Sequence, residues 1–266
     1  KMKALAVDLQ DIYNAFNYGV EDAHAIKDFL AYSYGNWKKA PAYIVLAGKG
    51  TIDPRNFWGF STNVLPVLLV NSPYGLNPSD NRYADVVGND GVPEMAIGRI
   101  PALSDDELLA YADKLRNAEA AAVQPDAANW RNRAIMIADA PDTAGNFPAD
   151  SDEVIKLLPS GMNVERDYYQ KGQGETYDQS FHNGLLSSIS SGAGLMNYIG
   201  HGSTPYLGKT GFFAQADVAA LTNGSKLPIM AGLTCAVGWD TNPGLDSLAR
   251  TLTLSPNGGA IAVLAP

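Results

Sequence analysis

The sequence predicts an α/β protein organised around a mostly parallel sheet. Two observations carry that prediction. Beyond residue 130, short apolar runs alternate with helix-period patterns, the signature of strands joined by crossover helices. The interval between the runs that end near residues 200 and 234 accommodates one crossover helix, as parallel neighbours require.

Taken in order, a strand is expected at 3–8 and a helix near 22–34, in which Ile26, Phe29 and Leu30 share one face and Gly35 supplies a stop. The run Tyr43-Ile-Val-Leu-Ala47, between Pro41 and Gly48, reads as a buried strand. Residues 48–93 hold the turn signals Asp53-Pro54, Asn77-Pro78 and Asn89-Asp-Gly91 around one apolar run at 64–70. A strand over 94–100 precedes Ser104-Asp-Asp-Glu107, a capping box that opens a helix. The small, aperiodic residues 120–130 read as a junction, dividing the chain into an α/β subdomain over 1–124 and a second subdomain over 125–266. The second carries strands at 133–138, 162–168, 194–199, 227–233 and 259–264. Helices are expected between them at 150–158, 177–190, 214–222 and 245–253, on both faces of the sheet. The last strand reads as cut off at its end, as in a piece of a longer protein.

Composition narrows the function. The 266 residues are 46% hydrophobic and 18% charged, with a mean hydropathy of -0.11, which excludes a disordered chain. A net charge of -9 with no basic cluster argues against nucleic acid as a partner. Apolar runs fall short of the roughly 20 residues a bilayer span needs, so no membrane insertion is expected. Cys235 is the single cysteine, which rules out an intrachain disulfide or a multi-thiolate zinc site.

In parallel sheets, chemistry gathers at the carboxyl ends of the strands. The run Leu195-Met-Asn-Tyr-Ile-Gly200 ends in His201-Gly202-Ser203, and Leu227-Pro-Ile-Met-Ala-Gly-Leu233 ends in Thr234-Cys235. One crossover helix fits between them, so the strands can be neighbours and an imidazole can sit beside a thiol. A histidine in that position takes the thiol proton, and the thiolate attacks a carbonyl carbon. The N–H groups of Gly202 and Cys235 then offer an oxyanion hole. A lone cysteine after an apolar strand is otherwise a small buried hydrophobe; the pairing with a His-Gly at the same sheet edge tips the reading toward catalysis. His24 and His182 lie in helical patterns and read as solvated.

These residues carry a resemblance. Asn197-Tyr-Ile-Gly-His-Gly-Ser203, the Cys235 strand, Val87-Gly-Asn-Asp-Gly-Val-Pro-Glu-Met-Ala-Ile-Gly-Arg-Ile100 and Gly259-Ala-Ile-Ala-Val-Leu264 together resemble the gingipain family of cysteine peptidases, in the family's order and over most of the chain. The resemblance implies a caspase-like three-layer α/β/α sandwich and endopeptidase activity on protein or peptide substrates. It further implies secretion or bacterial cell-surface display, flanking domains, and often a structural calcium ion. Cys235 would be the nucleophile and His201 the general base and acid. The family's acid that influences the histidine falls in Asp139-Ala-Pro-Asp142, where either Asp can serve and the interval to His201 favours Asp142. Asp152, at an expected helix start, aligns with the acid that binds a basic side chain in the arginine-specific relatives, and the family's loop beyond the last strand, which walls that pocket, is absent from the sequence.

Asp85, Asn89 and Asp90 are the expected calcium ligands, as hard oxygen donors in a turn-rich loop. No cofactor is expected for catalysis. Two other readings stand beside the peptidase: a catalytically silent adhesion or scaffold module, and a Cys-His transpeptidase in which an amine resolves the acyl-enzyme.

Overall fold

The computed structural model describes residues 2–60, 63–73, 75–88, 90–170 and 177–266. It divides into two compact units: residues 1–104 with Thr241–Gly244, and residues 105–240 with 245–266.

The first unit begins with an exposed coil over 2–8, where a strand was expected. Those residues lead into a helix whose N-cap is Asp8, its carboxylate accepting the Gln10 N–H at 2.7 Å. This helix, α1 (Leu9–Phe16), is followed by α2 (Ala23–Asn36), which runs through Gly35 rather than stopping there. Next come β1 (Tyr43–Ala47), β2 (Leu69–Ser72), β3 (Gly75–Pro78), α3 (Asn81–Ala84) and β4 (Ala96–Ile100). Strands β1 and β4 pair in parallel, and β2 and β3 form an antiparallel hairpin. Ile12, Tyr13, Ile26, Leu30, Leu46, Tyr83 and Met95 close one core, and Arg99 ties it by two hydrogen bonds to Asp80 at 2.7 and 2.8 Å.

The second unit opens with α4 (Asp105–Ala122), some twenty residues before the junction read from sequence. Its side chains explain the shift. Lys114 Nζ donates to the Leu252 and Thr253 carbonyls at 3.0 and 2.9 Å, Tyr111 Oη donates to the Ile261 carbonyl at 2.9 Å, and Glu107 accepts from Arg250 at 2.7 Å. The helix therefore belongs to the unit whose carbonyls it satisfies. Then follow α5 (Ala127–Arg131), β5 (Arg133–Ala138), α6 (Phe147–Ile155), β6 (Asn163–Tyr168), α7 (Gln179–Ser190), β7 (Leu195–Ile199), three two-residue strands β8 (Gly202–Ser203), β9 (Tyr206–Leu207) and β10 (Phe213–Ala214), α8 (Gln215–Val218), β11 (Ile229–Leu233), α9 (Leu248–Leu254) and β12 (Ala262–Leu264).

The central sheet is parallel, in the order β12-β11-β7-β5-β6. From β5 the chain steps to β6 on one side; from β7 it steps to β11 and β12 on the other. The reversal makes the β5/β7 boundary the topological switch point, and right-handed crossovers put α6 on the opposite face from α7, α8 and α9. Ile135, Ile137, Met196, Tyr198 and Met230 form one core with Leu185, Ile189, Val218, Leu248 and Leu252. Every residue of β5 after Arg133 is buried, as a central strand covered on both faces requires. The last strand is a partly exposed edge rather than a buried strand. His182, read from sequence as solvated, is buried: its Nδ1 lies 2.9 Å from the Phe212 carbonyl and its Nε2 lies 3.5 Å from Asp217.

Candidate active site

The site is built by three loops that leave the carboxyl ends of β5, β7 and β11. Ile229 of β11 pairs with Leu195 of β7, and the pairing runs without a slip to Leu233 and Ile199. His201 and Cys235 each stand two residues past the last pair, so they emerge at the same level of adjacent strands, spaced about 4.8 Å apart in the sheet. Direct packing joins the two loops. A Cβ placed on Gly202 would meet Thr234 Oγ1 at 2.3 Å and the Cys235 carbonyl oxygen at 3.2 Å, so only glycine lets the His-Gly segment lie against the cysteine turn. Cys235 is exposed rather than buried, and Ala236, the next residue, holds φ at +54°, a conformation L-residues adopt at a cost.

His201 leads into a hairpin. Its carbonyl accepts from the Gly208 N–H at 2.8 Å, and Gly202 faces Leu207 in the β8/β9 pair. Because hydrogen-bonded and non-bonded pairs alternate, the Gly202 pair is a non-bonded one and its N–H points away from β9. The buried Tyr198 phenol also reaches the His201 carbonyl and accepts from Gly208 N at 3.0 Å. Burial pushes its pKa up, so it stays a donor.

The imidazole is held from the β5 side. Nε2 of His201 lies 2.9 Å from Asp142 Oδ2, which leaves Nδ1 as the nitrogen for a thiol. Asp142 sits in a tight turn: its N–H donates to the Gly145 carbonyl at 3.0 Å, and its Oδ1 accepts from the Ala144 N–H at 2.7 Å. Its Oδ2 also accepts from Lys209 Nζ at 2.9 Å. Lys209, then the Ala144 N–H, then His201 hold the Asp142 carboxyl well below the usual carboxylate range. Phe147 at the start of α6 meets the imidazole edge-on, ring centres 5.2 Å apart.

Asp139, the other acid of this loop, is turned elsewhere. Its buried carboxylate accepts from its neighbour Ala140 at 2.8 Å and from the Lys209 backbone N–H at 2.9 Å. The two Asp residues therefore divide the work: Asp142 touches the histidine and Asp139 fixes the loop beside it.

Asp152 is not a helix cap. Asn146 caps α6, and Asp152 lies six residues into the helix. Its Oδ1 accepts from Arg166 Nε at 2.8 Å and Tyr168 Oη at 2.9 Å, and the side chain is 47% exposed. Arg166 first and Tyr168 second lower its pKa.

Two of the expected calcium ligands fall among the described residues. Asp85 is buried and ion-paired with Arg82, and it accepts from the Gly91 N–H at 3.0 Å. Asp90 accepts from its neighbour Val92 at 2.9 Å, and Asn89 lies outside the described residues. The Arg82 guanidinium pairs with Asp85 Oδ2 while Asp85 Oδ1 is buried without a hydrogen-bond partner, and among the described residues no group of three acidic, His or Cys side chains is arranged to hold a metal.

A five-stranded parallel sheet carrying Asp142, His201 and Cys235 at its switch-point edge has the caspase-like α/β architecture. The model of peptidase family C25 matches residues 1–266. The chain belongs to that family, the gingipain-like cysteine peptidases. Gingipain R2 of Porphyromonas gingivalis is 25% identical over 217 residues, covering 81% of this chain and 27% of that protein. Lys-gingipain of the same organism is 31% identical over 157 residues, 58% of this chain and 8% of that protein. The crystal structure of the Arg-specific cysteine proteinase gingipain R superposes with a TM-score of 0.72 at 22% identity, over 97% of this chain and 59% of that one. The complex of RgpB pro- and mature domains gives 0.73 at 23% identity, over 95% and 55%. The chain thus spans about a quarter of Gingipain R2 and little more than half of the solved chains.

Sequence reading missed Lys209, Phe147 and Tyr198. The signal for Lys209 was present: Thr204-Pro205 between short runs, closed by Gly208, marks a hairpin that returns residue 209 beside residue 201.

Proposed function

We propose that the chain is the catalytic part of a cysteine endopeptidase. The observation that carries the reading is the shared register of His201 and Cys235, with an exposed thiol on one strand end and a carboxylate-anchored imidazole on the other. In this mechanism Nδ1 of His201 takes the Cys235 proton and Sγ attacks the scissile carbonyl carbon. The oxyanion is received by the N–H groups of Gly202 and Cys235. As the C–N bond breaks, the imidazolium gives its proton to the departing amine. Water, deprotonated by the same imidazole, then attacks the thioester, and the thiolate leaves as the acid product is released. Asp142 keeps Nε2 protonated and the ring oriented, in the manner of the third member of a triad.

Cleavage after Arg or Lys is supported in direction by the relatives' specificities and by Asp152, whose Oδ2 makes no hydrogen bond among the described residues. A secreted or cell-surface setting belongs to the same proposal; no described helix is long and apolar enough to cross a membrane. The test is a diverse peptide library, with cleaved and joined products sequenced, run on the parent protein, Cys235→Ala and His201→Ala. Each substitution is expected to reduce hydrolysis by at least about a thousandfold while leaving the melting profile intact. Unchanged hydrolysis by Cys235→Ala overturns the reading, joined products redirect it to peptide transfer, and an inert folded parent supports a silent module.

A further inference from the structure

Lys209 stands at the site in a way that a surface ion pair alone does not require. Its side chain is 48% exposed, yet it is anchored twice to one loop: the backbone N–H donates to Asp139 Oδ2 and Nζ donates to Asp142 Oδ2, both at 2.9 Å. The His201–Gly208 pairing of the hairpin sets residue 209 at that point. The oxygen that receives Nζ is the one that receives the imidazole, and the Asp142 side chain is only 3% exposed. Two bonds to a single oxygen keep ammonium and imidazole within about 6 Å, the range in which like charges disfavour one another.

We propose that Lys209 is a positioning residue of this site, sharing the Asp142 carboxylate with His201 so that the carboxylate stays charged and aimed at the imidazole. The inference rests on the Cys-His peptidase reading above. An imidazole facing a carboxylate alone is stabilised as imidazolium and gives up its proton reluctantly; the leaving amine needs that proton. An ammonium on the far side of the carboxylate offsets part of the attraction. The charged and titratable groups around His201 are Asp142 and Asp139 on the β5 loop, Lys209 on the hairpin, Cys235 on the β11 loop and the Tyr198 phenol beneath it.

The experiment is an NMR titration of the imidazole protons in the Cys235→Ala background, which removes the thiol. His24→Gln identifies one of the three histidine signals, and depth of burial separates His182 from His201. Lys209→Met is expected to raise the His201 titration midpoint by about one pH unit, and Lys209→Arg, which keeps the charge, to restore the parent value. With Cys235 present, the pH profile of kcat/KM should move in the same direction in Lys209→Met, with KM little changed. Should Lys209→Met fail to fold, Lys209→Gln is read in the same way. An unchanged midpoint, or an equal shift in Lys209→Met and Lys209→Arg, overturns the proposal. The titration needs no turnover, so its outcome is separate from that of the peptidase reading, which stands or falls on hydrolysis by Cys235→Ala.

Discussion

At the scale of single residues, what the sequence made legible was chemical type at strand ends, and what it hid was pairing across distance. His201 and Cys235 announce themselves because each closes an apolar run, and strand ends are where a parallel sheet exposes chemistry. Lys209 lies 67 positions from Asp142, and only the hairpin brings them together. Asp152 illustrates the converse. Its family position was visible, while its partner Arg166 was not, since the two meet through the packing of α6 against the neighbouring strand. That partner changes the expected specificity. Arg166 places a fixed cation beside the carboxylate, so a basic substrate side chain gains less from Asp152 than from an unpaired acid. Asp152→Asn is expected to lower the ratio of cleavage after Arg to cleavage after Leu by about fivefold or less, as for a half-exposed pair. Arg166→Ala should raise that ratio. Paired kcat/KM measurements on two peptides differing only at that residue decide it, and a fall in Arg166→Ala would contradict the assignment.

At the scale of elements, the parallel strands were read within two or three residues, because a central strand buried on both faces leaves an unbroken apolar run. The exceptions have physical reasons. Residues 3–8 have a strand's composition, but Asp8 commits the following residues to α1. The expected helix at 214–222 shrinks to Gln215–Val218, closed at its start by Asp217 accepting from Ala214 N at 2.7 Å. The junction at 120–130 was misplaced because α4 looks detachable in sequence, whereas Lys114 reaches into the last carbonyls of α9. That contact has a pH signature. Burial pulls the Lys114 pKa down to about 8, below the unfolded value near 10.4. The unfolded chain therefore binds more protons between those two values, and stability rises with pH through that window. The contribution is complete above the unfolded value and is lost as pH falls through 8, amounting to about 1 kcal/mol at pH 9. Denaturant midpoints at pH 7.5 and pH 9 should differ accordingly in the parent and not in Lys114→Met; equal differences in both would assign the effect elsewhere.

At the scale of the whole molecule, the division of labour follows the fold. Every residue assigned a part in the chemistry, from Asp139 and Asp142 through His201, Gly202 and Lys209 to Cys235, belongs to the second unit. The sheet order explains why. Reversal at β5/β7 opens a cleft between the loops that follow those two strands, and β11 adds the third loop from the next position. The first unit has its own core and sheet, and within it Asp85 Oδ2 is engaged by Arg82 and the Gly91 N–H, and Asp90 by the Val92 N–H. Fold class was thus readable from the alternation of strands and helices, and strand-end chemistry with the spacing of β7 and β11 pointed to His201, Cys235 and Asp142 as candidates, while the Lys209 contact to Asp142 required coordinates. The central claim is that Cys235 carries the acyl group between bond cleavage and water attack. Its most direct test is acid quench of the protein during turnover of an activated peptide ester, followed by intact mass and peptide mapping. The account predicts an acyl adduct on Cys235 that hydroxylamine removes and that is absent from Cys235→Ala. An adduct on any other side chain, or full turnover by Cys235→Ala, would contradict it.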